Sequence, residues 1–393
     1  MSRRTRLAIA DRRSQHYLDN SVIDTPLSLY IHFPWCARKC PYCDFNSHEL
    51  RGEIPETRYV ETLLRDLELE AEPESRTALR SIFMGGGTPS LFSPEAISNL
   101  FAGIRDHFDI SKSEITLEAN PGTFDQKHFD GYYKAGVNRL SIGAQSFSAD
   151  SLARLGRIHG PGEIELAYDG ARQAGFNRIN IDLMHGLPGQ TLEHALFDLK
   201  RAIELEPEHI SWYQLTIEPN TRYYKYPPVL PKDPVLEEIF IAGNDLLKSA
   251  GFAQYEVSAY SLPSEESRHN LNYWQFGDYL GIGAGAHGKT RRANQVIRTT
   301  KNKMPTEYLQ HPVGKSTIVD PNELKLEFLL NALRLTNGFD LSLFEETTGL
   351  SPGLLDSFLE QASAEGFLVQ SINQIKPTKK GRLFLNDLLM LVD

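Results

Sequence analysis

A chain of 393 residues is long enough for one large domain and a smaller one. Its 40% hydrophobic and 23% charged residues are ordinary globular composition, and no apolar run approaches the roughly 18 residues of a membrane span. A net charge of −10 argues against nucleic acid as the main partner, and the start lacks an apolar signal core, so a cytoplasmic protein is expected.

Residues 1–26 form a basic N-terminal tail, with Arg3, Arg4, Arg6, Arg12 and Arg13 clustered ahead of the first apolar run. Asp11 and the short length favour a solvated tail over an organelle transit peptide. Six runs of β-branched and apolar residues follow: Ser28–Phe33, Ser81–Met84, Glu114–Ala119, Arg139–Gly143, Arg178–Met184 and His209–Ile217. Between them, residues Thr57–Ala71, Pro94–Phe108 and Leu192–Ile203 carry apolar side chains at helical spacing, as do Val235–Ala250 after the last run. Ser93, Asp125 and Thr191 stand at helix starts as N-caps. The alternation predicts an α/β fold, a partial (β/α)6 barrel within residues 27–300.

In such a barrel the loops leaving the carboxyl ends of the strands gather on one face. Here they carry Cys36, Cys40 and Cys43; the run Gly85-Gly86-Gly87-Thr88-Pro89; and then Glu118, Gln145, Asp182 and Thr216. Beyond the barrel, Gly251–Ser261 reads as a strand, and His269-Asn270-Leu271-Asn272-Tyr273-Trp274 is a polar–aromatic segment. Residues 301–321 lack periodicity and are expected to be a linker. Residues 322–393 then read as helices, a hairpin at Phe367–Val369 and Gln374–Lys376, and a last helix at Lys380–Leu389: a small winged-helix-like α+β domain. It is not conspicuously basic, so a packing or partner role is expected of it rather than DNA binding.

The only three cysteines lie within eight residues, which excludes a disulfide framework. Their spacing, C-x3-C-x2-C, puts three thiolates on one loop. An iron–sulfur cube held by three thiolates keeps one iron open for a ligand. Zinc is the competing reading and would need His32 or His48 as a fourth ligand. The sequence Gly281–Gly288 is glycine-rich, but no βαβ unit with a downstream acid surrounds it, so it is not a dinucleotide loop.

C-x3-C-x2-C after a first barrel strand, with Tyr42 before the last cysteine and a triple glycine after the second strand, resembles the radical S-adenosylmethionine (SAM) superfamily. Tyr30–Cys36, Ser141–Phe147 and Asn180–Pro188 are similar, in order, to blocks of its HemN/HemW group. That resemblance covers the chain from about Leu27 onward. It implies a [4Fe–4S] cluster on Cys36, Cys40 and Cys43. It also implies SAM contacts at Tyr30, Tyr42, Gly86, Gly87, Thr88, Glu118, Gln145, Arg157, Asp182 and Thr216.

Within that group two functions compete. One is oxygen-independent coproporphyrinogen III oxidase, which decarboxylates propionates; the other is the HemW family of haem chaperones. The oxidase motif continues past its third cysteine with a further cysteine two residues on, where this chain has Phe45, and the oxidase has a longer region ahead of its cysteines. His269-Asn270-x-x-Tyr273-Trp274 matches the HNxxYW motif of the HemW family. The resemblance therefore implies haem as cargo, with His269, Asn270, Tyr273 and Trp274 as contacts and His287 as a secondary ligand candidate. It further implies apo-haemoproteins such as respiratory cytochromes as receivers, and leaves a homodimer open.

Overall fold

The computed structural model describes residues 26–71, 77–292 and 295–392. The basic tail expected at 1–26 lies outside them but for Pro26. Six parallel strands make the frame: β1 Leu27–Phe33, β2 Leu79–Gly86, β3 Glu114–Ala119, β4 Arg139–Gln145, β5 Ile179–His185 and β6 His209–Gln214. Each pairs with the next in sequence order. A helix returns between each consecutive pair, and the predicted caps form. Ser93 accepts from the amide of Ala96, Asp125 from Lys127 and His128, and Thr191 from His194.

Strand side chains alternate between faces. In β5, Ile179, Ile181 and Leu183 enter the apolar core under the helices, whereas Asn180 and Asp182 line the opposite, concave face. The same split sends Leu140 and Ile142 of β4 into the core and Arg139, Ser141, Gly143 and Gln145 to the cavity. Period-two alternation thus builds one polar interior wall from β3, β4, β5 and β6.

The sheet extends further than the six predicted strands. Asp278–Ile282 pairs parallel to the outer side of β1, and antiparallel strands His287–Arg292, Gln295–Thr300 and Lys315–Ile318 continue that edge. Residues 301–321, expected to be an aperiodic linker, therefore hold sheet structure as well as a one-turn helix at Pro305–Tyr308. Short polar strands on a sheet edge leave no apolar period to read. At the other edge, Gly251–Ser261 is not one strand but a hairpin of Ala253–Glu256 and Ala259–Ser261 against β6.

The C-terminal unit has its own apolar core around Phe328, Phe339, Phe344 and Phe358. Helices Pro321–Ala332, Leu341–Thr348 and Asp356–Ala364 precede the hairpin Leu368–Gln370 and Gln374–Pro377, with Phe339–Asp340 as a third strand. The last predicted helix is broken at Phe384 into two short turns. The unit is tied to the barrel at the sheet edge, where Leu335 bridges Glu256 and the amide of Thr336 donates to the carbonyl of Tyr255 at 2.9 Å.

Candidate functional site

Cys36 ends a two-residue strand paired with His48–Glu49, which folds the intervening cysteine loop back over the barrel mouth. All three cysteines line a cavity of about 480 Å³ whose floor is the concave face of the sheet. Burial pushes the Cys36 thiol up to about 11 and raises that of Cys43 as well, so bare thiolates are disfavoured there. Three soft donors on one wall, with the Arg157 guanidinium 3.8 Å from the Cys40 sulfur, suit a metal group that supplies the missing positive charge. The zinc alternative fares poorly. His32 is bonded to the Asn46 carbonyl at 2.8 Å and to the Tyr30 hydroxyl at 2.9 Å. His48 points to Asn46 and the Lys303 carbonyl. Among the described residues no three His, Cys, Asp or Glu side chains converge on a single-ion position.

The triple glycine is a packing requirement. Gly86 has φ +108°, and a Cβ there would stand 2.3 Å from the His32 ring; one on Gly87 would meet the Trp35 carbonyl at 2.4 Å. The close approach lets Gly87 and Thr88 donate to the carbonyls of Phe33 and Trp35, locking the glycine turn to the strand that carries Cys36.

Deeper in the cavity, the Gly86 amide donates to Glu118 at 3.1 Å. Burial, reinforced by the charge of Asp182, pushes Glu118 up to about 8. Asp182 is itself raised by burial, although Ser141 and Asn180 each donate to it at 2.8 Å. Both carboxyls line the cavity, where a bound cation would favour their charged forms. Arg157 donates to the Gly143 carbonyl at 2.7 Å and keeps its buried Nε without a partner. Gln145 adopts φ +68°, unusual for a residue with a side chain, and accepts from Tyr213 at 2.6 Å. Tyr42, Gly86, Gly87, Thr88, Glu118, Gln145, Arg157 and Asp182 all line this cavity. Tyr30 sits one layer behind it, stacked on Phe83. Thr216 follows β6, is exposed and does not reach the cavity wall, so the structure does not bring it together with the others.

The HNxxYW segment is the helix Arg268–Trp274, and its two faces part company. Asn270 and Trp274, four residues apart, line the same cavity as the cysteines. His269 and Tyr273 turn the other way. The His269 ring stacks on Phe83 with centroids 4.2 Å apart, and Tyr273 stacks on Tyr279. Burial lowers His269 to about 3, so its imidazole is neutral. Its Nδ1 is buried without a hydrogen-bond partner, which is not how a core histidine usually sits. His287 is exposed at the start of an outer strand. Sequence reasoning passed over Glu114, whose buried carboxylate pairs with Arg139 and Arg178 and accepts the Arg268 amide at 2.8 Å, anchoring the start of this helix. A glutamate opening a strand carries no sequence signal of that role. It also passed over Arg334, whose guanidinium lies 4.3 Å over the Trp274 ring and so brings the C-terminal unit to the cavity.

A model of the radical SAM superfamily matches residues 30–202, and one of the HemN C-terminal domain matches residues 319–384. The heme chaperone HemW of Escherichia coli strain K12 is 50% identical over 369 residues, covering 93% of this chain and 98% of that protein. This chain belongs to the HemW family. The HemW of Haemophilus influenzae is 48% identical over 93% of this chain and 97% of its own, and that of Bacillus subtilis is 34% identical over 92% and 97%. The solved coproporphyrinogen III oxidase HemN of Escherichia coli superimposes with a TM-score of 0.79 at 24% identity, over 94% of this chain and 90% of that one. The oxidase likeness shows a shared fold, the radical SAM α/β architecture with its C-terminal domain; the HemW relatives carry the family. No helix among the described residues of this HemW-family chain is long and apolar enough to cross a membrane.

Proposed function

We propose that this HemW-family chain is a cytoplasmic haem chaperone that holds one [4Fe–4S] cluster on Cys36, Cys40 and Cys43, binds SAM beside it, and delivers haem to apo-haemoproteins such as respiratory cytochromes. One observation carries the reading: the three cysteines, the Glu118–Asp182 pair and the Asn270–Trp274 face of the HNxxYW helix line a single cavity. When bound by the three cysteines, a [4Fe–4S] cluster would supply low-potential electron transfer at this cavity.

The chain's own groups divide the binding work. Glu118 and Asp182 receive the ammonium or ribose hydroxyls of SAM, and Arg157 its carboxylate. Gly86 and Gly87 let backbone approach the ligand without a Cβ in the way. Gln145 is held by Tyr213 at the same wall. For haem, Trp274 offers an aromatic face and Asn270 a polar edge. His269 is the motif's axial-ligand candidate: its imidazole is neutral and its Nδ1 unpartnered, and it reaches a haem iron in the cavity only by leaving its stack on Phe83. His287, exposed on an outer strand, is the weaker candidate. Phe45, exposed where the oxidase pattern has another cysteine, counts against the oxidase reading.

The test is a haem titration of anaerobically reconstituted protein with and without SAM, with product analysis for 5′-deoxyadenosine. Saturable haem binding beside an intact cluster supports the chaperone. Turnover of coproporphyrinogen III with SAM and a low-potential reductant would replace it with the oxidase. The same preparation, passed over a sizing column, reports whether the chain is a homodimer.

A further inference from the structure

Asn270 reaches the cavity from the HNxxYW helix and Asp182 from β5, and a line of hydrogen bonds joins the two. The Asn270 side-chain amide donates to the Tyr255 hydroxyl at 3.0 Å, and that hydroxyl meets His209 Nε2 at 2.9 Å. His209 Nδ1 lies 2.6 Å from Asn180 Oδ1, and Asn180 Nδ2 donates to Asp182 at 2.8 Å. His209 and Asn180 stand opposite each other on β6 and β5, and Tyr255 comes from the edge hairpin. One donor fixes the direction of the whole line. The backbone N–H of Ser211 meets the Asn180 side chain at 3.0 Å, and since it can only donate, the atom it meets is oxygen. His209 Nδ1 faces that same oxygen and so carries a proton. Burial lowers the pKa of His209 well below its ordinary value, so the imidazole is neutral and its Nε2 accepts. The single proton of Tyr255 goes to Nε2, which leaves the phenolic oxygen to accept from Asn270 and fixes the orientation of that amide. Every group therefore donates toward Asp182. Reversal would set the Asn180 oxygen against the Asp182 carboxylate and its NH2 against the Ser211 N–H.

We infer that this line couples the two ligands, with His209 and Tyr255 as positioning residues: a cation on Asp182 holds it in the observed direction and so sets the Asn270 amide for haem. The inference rests on the reading of Asp182 as a SAM contact and Asn270 as a haem contact. Burial raises Asp182 and so favours its protonated form. The positive charge of SAM favours the carboxylate, which is the form that accepts from Asn180. Hydrogen bonds in a chain polarise one another, so a stronger bond at Asp182 strengthens each one behind it. Asn270 then keeps Nδ2 on Tyr255 and holds Oδ1 for a ligand, an ordering step completed before haem arrives. By linkage the effect runs both ways, and haem tightens SAM as SAM tightens haem.

The experiment reads the haem Kd from the Soret band of the anaerobically reconstituted full chain, with and without saturating SAM. No reductant is added, so SAM is not consumed. In wild type, SAM should tighten haem about fivefold or more, and haem should tighten SAM by the same factor. Tyr255 is not among the residues lining the cavity, and Tyr255→Phe takes only its hydroxyl from the line. In that variant both factors should fall to about one, with SAM affinity of the haem-free protein unchanged. A purely structural Tyr255 would weaken haem equally with and without SAM and leave the factor intact, which overturns the inference. NMR of nitrogen-labelled histidine gives a second reading that needs no variant. His209 should be the neutral tautomer with its proton on Nδ1, and a proton on Nε2 instead overturns the inference. Wild type that binds both ligands with a factor of about one overturns the coupling and leaves the chaperone reading standing. Wild type that binds no haem overturns both.

Discussion

The side-chain amide of Asn46 donates to the carbonyl of Ala284 at 2.9 Å, across 238 residues of sequence, and to that of Lys303 at 2.8 Å. The backbone carbonyl of Asn46 accepts from His32 Nε2 at 2.8 Å. A Cβ on Gly285 would strike this amide at 2.3 Å, so the glycine is what lets the two segments touch. The cysteine loop is therefore pinned at its far end to the outer strands of the sheet.

Asn46→Ala should cost about 1–3 kcal/mol, the price of leaving carbonyls without a donor, and should lower iron retention more than secondary structure. Thermal melts and iron counts after anaerobic reconstitution check it. Full iron retention with an unchanged melt would show that the loop holds itself.

Glu118 has a pH signature. Held up at about 8 against an ordinary glutamate near 4.3, it keeps its proton when folded and loses it when unfolded. Its stability contribution is full below about 4.3 and is lost as pH rises through about 8. Denaturant unfolding of the ligand-free Glu118→Gln variant should show a flatter decline across that window than wild type. SAM affinity should rise with pH over the same range in wild type, because a cation needs the carboxylate, and should lose that dependence in the variant. Parallel pH profiles for both proteins would contradict this assignment.

His269→Phe preserves the ring stack on Phe83 and removes the imidazole nitrogens. The cluster and the melting temperature should stay near wild type, while haem affinity falls about tenfold or more, worth ~1.4 kcal/mol, and the Soret band shifts. Trp274→Ala should also weaken haem, and should additionally release Arg334, which loosens the C-terminal unit. An unchanged Soret band in His269→Phe would move the iron ligand elsewhere.

The barrel was legible because its signals are local. Ser93, Asp125 and Thr191 cap where the sequence placed them, and the six strands alternate apolar and polar side chains. The cysteine motif was legible for the same reason, being one short loop. What escaped detection depends on distant partners. Asp278–Ile282 joins β1 across the whole barrel, and Lys315–Ile318 is all exposed, so neither carries a periodic signature. Glu114 and Arg334 gain their roles only from chain crossings that no window of sequence contains. Thr216, carried over from a motif, is exposed just after β6 and is not among the residues lining the cavity.

The most direct test of the account is one absorbance titration. Haem is added to cluster-loaded protein under anaerobic conditions in the presence of SAM, and the Soret and cluster bands are followed together. Because the cysteines and the Asn270–Trp274 face share one cavity, the account predicts saturation near one equivalent of haem with the cluster band retained. Displacement of the cluster as haem binds, or no saturable Soret change at all, would contradict it.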